Sequence, residues 1–276
     1  MPNQIYPNTS PFALSRNTNV NFNYVWDSQA SNWIPQQGIS GANLSQDYIL
    51  QNAKKSIHKF GSNPNIVNTV SVSDPETVWD GSTEYIFPPN DGTGMQVQSD
   101  DTGDNQEIII EGLDENFYEK TWTGNLNGLT NVNIDGTWTR VYRAYNNGST
   151  DFAGDIDIHA SGGATSYAQI LGANNQTLMA VYTVPANCTG YVVKYNLSAQ
   201  NTSSASDIGF TAQLRTREYG KVFRVKEITS VNTTSSIEQD MPFPLKLEPK
   251  TDILFNIVNA NGNNGSVNAD FDLALI

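Results

Sequence analysis

The sequence has little cysteine, little charge and no long apolar run. Cys188 is the only cysteine among 276 residues, which excludes a disulfide within the chain. Charged residues make up 16%, below the quarter or so that is usual in globular proteins. No apolar run approaches the roughly 20 residues that a membrane-spanning helix needs. A disulfide framework and a membrane partner are therefore both unexpected.

Basic residues are especially scarce. Fifteen Lys and Arg face 28 Asp and Glu, so the formal net charge is −13. Binding to nucleic-acid phosphates relies on clusters of Lys and Arg, and the densest basic run here is Lys54 and Lys55 with Lys59. The composition predicts no nucleic-acid partner.

The opening residues, MPNQIYPNTSPF, lack the basic start and the apolar centre of a secretory signal. No phosphate-binding loop and no dinucleotide fingerprint follows a candidate strand. We therefore expect synthesis in a cytoplasm and no cofactor.

Asn, Thr, Ser and Gly supply most of the polarity, and from about residue 65 short β-like runs alternate with turn residues. Candidate strands cover 66–72, 84–87, 94–98, 106–111, 118–123, 129–134, 138–145, 153–159, 178–184, 189–199, 207–217, 221–230, 242–247, 252–259 and 267–275. Their spacing near ten residues is typical of sandwiches and jelly rolls. The sequence predicts an all-β protein whose β-sandwich or jelly-roll-like body spans 63–276.

One short helix is predicted over 44–60, with a linker to 62. Its apolar residues recur at helical spacing on one face: Ile49, Ala53, Ile57 and Phe60. Asn43 with Gln46 resembles a capping box, and Gly61 is a plausible stop. Lys59 and the two lysines before it would lie where the helix dipole favours cations.

Residues 1–43 are predicted to form an extended N-terminal arm. Four prolines interrupt regular elements there: Pro2, Pro7, Pro11 and Pro35. Flexible linkers are poor in aromatic residues, whereas interface cores are rich in them. The arm carries these candidate interface residues: Phe12, Phe22, Tyr24, Trp26 and Trp33. We expect the arm to order against a partner or a neighbouring subunit.

The run from Glu107 to Gly128, EIIIEGLDENFYEKTWTGNLNG, is rich in carboxylates. Paired acids such as Glu111 and Glu119 are what glycoside hydrolysis requires. The alternative is a hairpin whose acids cluster where a buried Ile strand leaves the core. Gly112 and Asp114 are turn-forming residues, which favours the hairpin. We therefore predict no catalytic residue here.

A calcium site is a second hypothesis. The run SDDTGDNQE places four carboxylates around a glycine: Asp100, Asp101, Asp104 and Glu107. Calcium prefers oxygen ligands in a tight loop, but the run does not match the EF-hand spacing. A solvated acidic turn is the favoured interpretation. Asp155 and Asp157 lie on one face of a predicted strand, and that face is likewise interpreted as solvent-exposed.

Other chemistry has weaker support. Cys188 lies in a turn, and neither His58 nor His159 belongs to a cysteine-enzyme or zinc signature. We predict a structural, partly buried thiol and no enzyme activity. Trp122 and Trp138 could stack on sugars, although packing in a core or interface is favoured.

Several segments, in this order, resemble a group of tailed-phage virion structural proteins: KSIHKFGSNPNI, VWDGSTEYIFP, IIIEGLDENFYEKTWTGNLNG, RVYRAY, NNQTLMAVYTVPANCTGYVVKY, AQLRTREYGKVFRVKE and DFDLALI. The resemblance covers roughly residues 53–276. It implies a β-rich, non-enzymatic component of a phage particle, made in the bacterial host cytoplasm and located in the virion. It carries over no catalytic residue.

The resemblance leaves the position in the particle open. The favoured hypothesis is a ring-forming or fibre-attaching subunit of the tail or of the head–tail junction. The alternatives are a capsid decoration (cement) protein and a carbohydrate-binding module for host recognition. We expect a homo-oligomer whose partners are other virion proteins of the tail, portal-adaptor or capsid, with a host glycan as a further candidate ligand.

Overall fold

The structure, a computed structural model, describes residues 24–27, 32–35, 41–201, 207–233 and 235–276. These residues form eighteen strands and one short helix, so the predicted all-β class is confirmed. None of the helical segments in these ranges is long and apolar enough to cross a membrane.

The elements have the following bounds. The first are β1 (Tyr24–Asp27), β2 (Asn32–Pro35), α1 (Gly41–Asn52), β3 (Lys55–Ile66), β4 (Glu76–Thr77), β5 (Thr93–Ser99), β6 (Glu107–Leu113), β7 (Glu119–Asn125), β8 (Val132–Trp138) and β9 (Arg140–Asn146). The others are β10 (Ile156–Ala160), β11 (Ser166–Ile170), β12 (Val181–Thr183), β13 (Gly190–Asn201), β14 (Gly209–Arg217), β15 (Arg224–Asn232), β16 (Ser236–Leu247), β17 (Asp252–Ala260) and β18 (Gly265–Leu275).

Eight of these strands, β3 and β12 to β18, form two sheets that enclose one core. One sheet has the order β16-β13-β18-β3, and the other has the order β12-β17-β14-β15, with the short β4 also paired to β17. Counted along the chain, the first sheet contains the sixth, third, eighth and first strands. The second sheet contains the second, seventh, fourth and fifth. This is the strand order of an eight-stranded jelly roll.

Alternating side chains fill the jelly-roll core. Phe210, Ala212 and Leu214 of β14 point inward together, as their spacing predicts, and so does Phe255 of the neighbouring β17. Phe271 of β18 lies in the opposite sheet, with its ring 6.3 Å from that of Phe255. Each fully buried side chain of this size stabilises the fold by about 1.5–3 kcal/mol. Burial of side chains from both sheets in this shared core therefore holds the two sheets together.

A second sandwich is inserted between β3 and β12. Its sheets, β11-β10-β5-β8 and β7-β6-β9, share a separate core that contains Ile108, Trp138 and Ile156. Where the sequence predicts one body over 63–276, the described residues thus have two cores. Strand β17 serves both, because Phe255 lies in the first core and Leu254 in the second.

The predicted helix is too long. Residues 41–52 are helical, but 55–66 form the edge strand β3, which pairs antiparallel with β18. The helical assignment failed because the inward positions of β3 are Lys59, Gly61 and Asn63, which do not resemble a buried strand. A backbone ladder to β18 decided the conformation, overriding local propensity.

Gly61 is required by close packing. A Cβ atom at this position would lie 2.2 Å from the backbone nitrogen of Ala180, so only glycine lets β3 approach that chain segment. The sequence interpretation of Gly61 as a helix stop is wrong for this reason.

Other boundaries also differ. The predicted strands over 66–72 and 84–87 are irregular apart from Ile66, and β11 was not predicted. Within the predicted arm, β1 and β2 form an antiparallel pair that places Trp26 opposite Trp33. Regular pairing up to Pro35 corrects the expectation that proline excludes such elements there. Phe12 and Phe22 lie outside the described residues, as do the side chains of Tyr24, Trp26 and Trp33, so their interface role stays a prediction.

Candidate functional site

The carboxylates of the 107–128 hairpin have separate cation partners. Glu111 on β6 lies opposite Arg143 on β9, with 3.5 Å between the charged groups. Glu119 on β7 pairs with Lys55 of β3, at 2.5 Å. The second pair joins the inserted sandwich to the jelly roll, so the two acids serve as ion-pair partners of different strands.

Local turn chemistry explains the rest of this motif. Oδ1 of Asp114 accepts hydrogen bonds from the backbone N–H groups of Asn116, at 2.8 Å, and Tyr118, at 2.9 Å. This confirms the predicted local capping by Asp114. Gly112, in contrast, lies within β6 and not in the turn. A Cβ there would lie 2.0 Å from the carbonyl oxygen of Arg140, so close strand packing requires the glycine.

The central acid of the calcium hypothesis is used by the backbone. Asp104 is buried, and its oxygens accept hydrogen bonds from the N–H of Ala153 (2.9 Å), the N–H of Gly154 (3.0 Å) and Oγ of Ser99 (2.6 Å). Burial alone would raise the pKa of Asp104, but these hydrogen bonds outweigh it and lower the pKa. Asp104 therefore acts as a fixed acceptor that ties the 99–107 loop to the segment before β10.

The other three candidate ligands are engaged elsewhere. Asp100 accepts from the N–H of Asp155 at 2.7 Å, Asp101 accepts from the N–H of Gly103 at 2.7 Å, and Glu107 accepts from the side chain of Asn147. Among the described residues, no group of three or more His, Cys, Asp or Glu side chains is placed to hold a metal ion. The structure does not bring the four acids together as a ligand set.

The two candidate sugar-stacking residues differ in exposure. Trp138 is 0% exposed, and its indole N–H donates to the carbonyl of Asp135 at 3.1 Å. The hypothesis that Trp138 stacks on a sugar is therefore wrong, because no ligand can reach its ring. Trp122 is half-buried against the core of the inserted sandwich.

The thiol and the histidines are packed or paired. Cys188 is half-buried, and burial raises the pKa of its thiol, which disfavours the nucleophilic thiolate. Nδ1 of His58 lies 2.6 Å from Oδ1 of Asp272, whereas the buried His159 bonds to Asn131. These contacts place the two histidines on different sandwiches.

A buried ion pair was missed by sequence reasoning. Arg140 on β9 is 2% exposed, and its Nε and Nη2 donate to the two carboxylate oxygens of Asp252 on β17, at 2.7 and 3.0 Å. Thr183 donates to the same carboxylate at 2.6 Å, and Arg217 donates to it at 2.7 and 2.9 Å. Such two-pronged bonds are strong and directional. They join the inserted sandwich to the jelly roll.

Aromatic rings surround this pair. Phe87 lies between the two guanidinium groups, 5.1 Å from that of Arg140 and 4.8 Å from that of Arg217. Phe223 lies 4.6 Å from the latter. Ring faces attract cations, so these rings offset part of the loss of hydration that burial imposes on the two guanidinium groups. The separation of Arg140 and Asp252 along the chain hides this cluster from sequence reading.

Two further buried ionisable groups lack full compensation. Burial lowers the pKa of Lys59 to about 7 and raises that of Asp80 to about 7. One oxygen of Asp80 accepts from the N–H of Leu178 at 2.8 Å, and the other has no hydrogen-bond partner among the described residues. Perturbed buried groups of this kind are candidates for function.

An exposed edge is the third feature that sequence reading missed. Strand β15 pairs with β14, and no strand lies along its other side among the described residues. Nearly all of its side chains are exposed, including Val225 and Ile228, the latter at 63%. Phe243 on the neighbouring edge strand β16 is also exposed. We call the exposed side chains of Val225, Ile228 and Phe243 the edge surface.

Comparison with known proteins adds no identification: no family model matches this chain, and no curated protein is significantly similar to it.

Proposed function

We propose that this protein is a non-enzymatic assembly subunit of a tailed-phage particle, which associates with further copies of itself through the edge surface. The observation that carries the proposal is the outer edge of β15, along which no strand pairs among the described residues and where Val225 and Ile228 are exposed. Native proteins normally block such edges, because an open edge pairs readily with another chain. An edge that is left open is a ready site for strand addition.

Fold and sequence support the same proposal from different directions. Jelly rolls recur in viral capsid and lectin domains, which makes a particle protein a natural use of this architecture. A fold alone does not define a function, so the virion assignment rests also on the segments that resemble tailed-phage structural proteins. The preferred placement is the tail or the head–tail junction, in a ring or at a fibre attachment.

Charge favours contact between copies. Strand β15 carries the exposed cations Arg224 and Lys226, although the chain as a whole has a net charge of −13. The neighbouring β16 carries the exposed acids Glu238 and Asp240. With Glu227 on β15 and Lys246 on β16 counted, the two strands carry net charges of +1 and −1. Within the chain, Arg224 pairs with Glu218 and Glu238 pairs with Lys194. The remaining contrast allows the β15 edge of one copy to meet the β16 side of the next. Complementary charge of this kind orients partners and suppresses wrong ones.

Introducing a charge into the edge surface is the direct test of self-association. We expect the wild-type chain to form oligomers in light scattering coupled to size exclusion, and Ile228→Lys to weaken that association at least tenfold, about 1.4 kcal/mol. The matched control is Leu129→Lys, which changes a similarly exposed apolar side chain on the inserted sandwich. A monomeric wild-type chain at high concentration, or equal effects of both variants, would contradict the proposal.

Copy number distinguishes the possible positions in a particle. Quantitative mass spectrometry of purified virions is expected to find about six or twelve copies per particle, as in a closed cyclic ring. A capsid decoration protein, which is the alternative, would be present in hundreds of copies. Absence of the protein from particles would reject both.

A further inference from the structure

A cavity of about 410 Å³ lies where the jelly roll meets the inserted sandwich. Its walls come from the edge strand β3, from β6 and β9, from the segment before β12 and from β12 itself. The residues that matter for its chemistry are Ile57, Lys59, Glu111, Tyr142, Arg143 and Tyr182. Cavities of about 300–1,000 Å³ are typical of sites for small molecules.

Lys59 brings an uncompensated amine to this cavity. Its side chain is 7% exposed, and its ammonium group donates one hydrogen bond, to the backbone carbonyl of Tyr142. Among the described residues, no carboxylate lies within 4.0 Å of Nζ, the limit for an ion pair. An ammonium has three donors, so two remain for a ligand. A buried charge without a partner is costly, and proteins rarely keep one without a use.

Tyr182 adds a second unused polar group. Its side chain is 1% exposed, and its hydroxyl has no hydrogen-bond partner among the described residues. Its ring lies 5.0 Å from that of Tyr142, whose ring is in turn 5.9 Å from Nζ of Lys59. Lys59 and Tyr182, each with an unsatisfied polar group, therefore both line this cavity.

The surrounding charges define the charge of a ligand. Glu111 is paired with Arg143 at 3.5 Å, and Glu119 is paired with Lys55 at 2.5 Å. These two pairs cancel, and Lys59 is left as a single positive charge. A ligand with one negative charge balances it, whereas a doubly charged phosphate would repel Glu111.

We propose that the cavity binds a small monocarboxylate, whose oxygens accept hydrogen bonds from Lys59 and whose apolar part lies against Ile57 and Tyr142. A carboxylate has two oxygens, so one can accept from the ammonium and the other from the hydroxyl of Tyr182. Hydrogen bonds between ions are roughly twice as strong as neutral ones, which makes the buried amine the main source of affinity. This site is separate from the edge surface and independent of self-association.

Benzoate and its uncharged analogue benzamide are the probes that test this site. The full chain is titrated with each by calorimetry and thermal shift, at constant ionic strength and below pH 7, where Lys59 is charged. We expect benzoate to bind and to raise the melting temperature, and benzamide to do neither. The signal of the Lys59 side chain in NMR is expected to titrate at higher pH with benzoate bound, because the carboxylate favours the charged amine.

Two variants and a control assign the binding to these residues. Lys59→Met is expected to weaken benzoate binding at least tenfold, and Tyr182→Phe, which removes only the hydroxyl, several-fold. Lys221→Met makes the same change at an exposed residue in the turn before β15, outside the cavity, and is expected to bind as the wild type does. Each variant is first checked for a cooperative melting transition.

Several outcomes would overturn the proposal. These are equal binding of benzoate and benzamide, unchanged affinity in Lys59→Met, or no binding of either benzoate or the smaller acetate. Failure of this test leaves the oligomerisation result untouched, since the two experiments probe different surfaces.

Discussion

Replacing Asp252 with asparagine is expected to lower the free energy of unfolding by about 3–5 kcal/mol, because the change leaves a buried guanidinium without its counter-ion. Asp252 accepts five hydrogen bonds from Arg140, Arg217 and Thr183. Asparagine retains one acceptor oxygen and no charge. The amide would also direct its own N–H donors at Arg140, which is 2% exposed and has no route to water.

Urea unfolding monitored by tryptophan fluorescence measures this effect. The matched control is Asp91→Asn, which makes the same change at an exposed residue near the cluster and is expected to alter stability by about 0.5 kcal/mol or less. A loss below about 1 kcal/mol in Asp252→Asn would show that the pair is no stronger than a surface ion pair.

A double mutant tests whether Arg140 and Asp252 couple the two sandwiches. Arg140 belongs to the inserted sandwich, whereas Asp252 and Thr183 belong to the jelly roll, so the cluster couples the two cores. Mutating Arg140 to methionine in the Asp252→Asn background should restore part of the lost stability, because the fully buried guanidinium is then gone and only the partly exposed Arg217 lacks the carboxylate. Such partial recovery in a double-mutant cycle measures their coupling.

The second large effect has the opposite sign: Lys59→Met is expected to raise the free energy of unfolding by about 1–4 kcal/mol below pH 7, because it removes a buried charge that lacks a counter-ion. Burial is the main cause that lowers the pKa of Lys59 from 10.5 to about 7, with the nearby Arg143 adding to it and Glu111 opposing it. Methionine fills similar space with an apolar chain.

The pH dependence follows from the direction of this shift. Between pH 7 and 10.5 the unfolded chain binds a proton at Lys59 that the folded chain does not. The contribution of this residue to stability therefore rises with pH across that window, and its penalty is complete below pH 7. The advantage of Lys59→Met should accordingly be largest below pH 7 and shrink towards pH 10.5.

Urea unfolding of wild type and variant at several pH values across this window tests the prediction. Lys221→Met, at an exposed residue outside both the cavity and β15, is the control. A variant less stable than wild type at every pH would mean that Lys59 is compensated by its bond to Tyr142. A Lys59→Met variant that is more stable than the wild type and no longer binds benzoate would show that Lys59 lowers stability but is needed for the ligand site.

Much of the fold could be read from periodicity. The alternation of Phe210, Ala212 and Leu214 correctly predicted the inward face of β14, because a two-residue repeat reflects a strand with one face in a core. In β17 the alternation placed Phe255 in the jelly-roll core, but it did not indicate that the opposite face is buried too. The turn at Asp114 was likewise predictable, since its side chain bonds the backbone within four residues. Both features depend on neighbours in sequence, which is why they needed no tertiary information.

Errors arose where partners are distant along the chain. Ile57 and Phe60 continue the helical spacing of apolar side chains, yet residues 55–66 pair with β18 as the edge strand of a sheet. The partner strand is about 200 residues away in the chain, so no local pattern indicates it. Gly61 was interpreted as a helix stop and Gly112 as a turn residue. In the structure, another backbone segment occupies the space that a Cβ atom would take at each position. Trp138 was considered as a ligand platform, and the second core covers it completely.

The sequence by itself determined the all-β class, the presence of one short helix, the inward face of β14 and the turn at Asp114, because each depends on residues close together in the chain. The helix was predicted to start at residue 44, and it starts at Gly41. Only the tertiary structure decided that one sandwich is inserted into the jelly roll, that Arg140 meets Asp252 and that Lys59 lines a cavity. Those features depend on contacts between residues that are far apart in the chain, such as Arg140 and Asp252, which are separated by 112 residues. No local sequence pattern shows which distant strand a residue will contact.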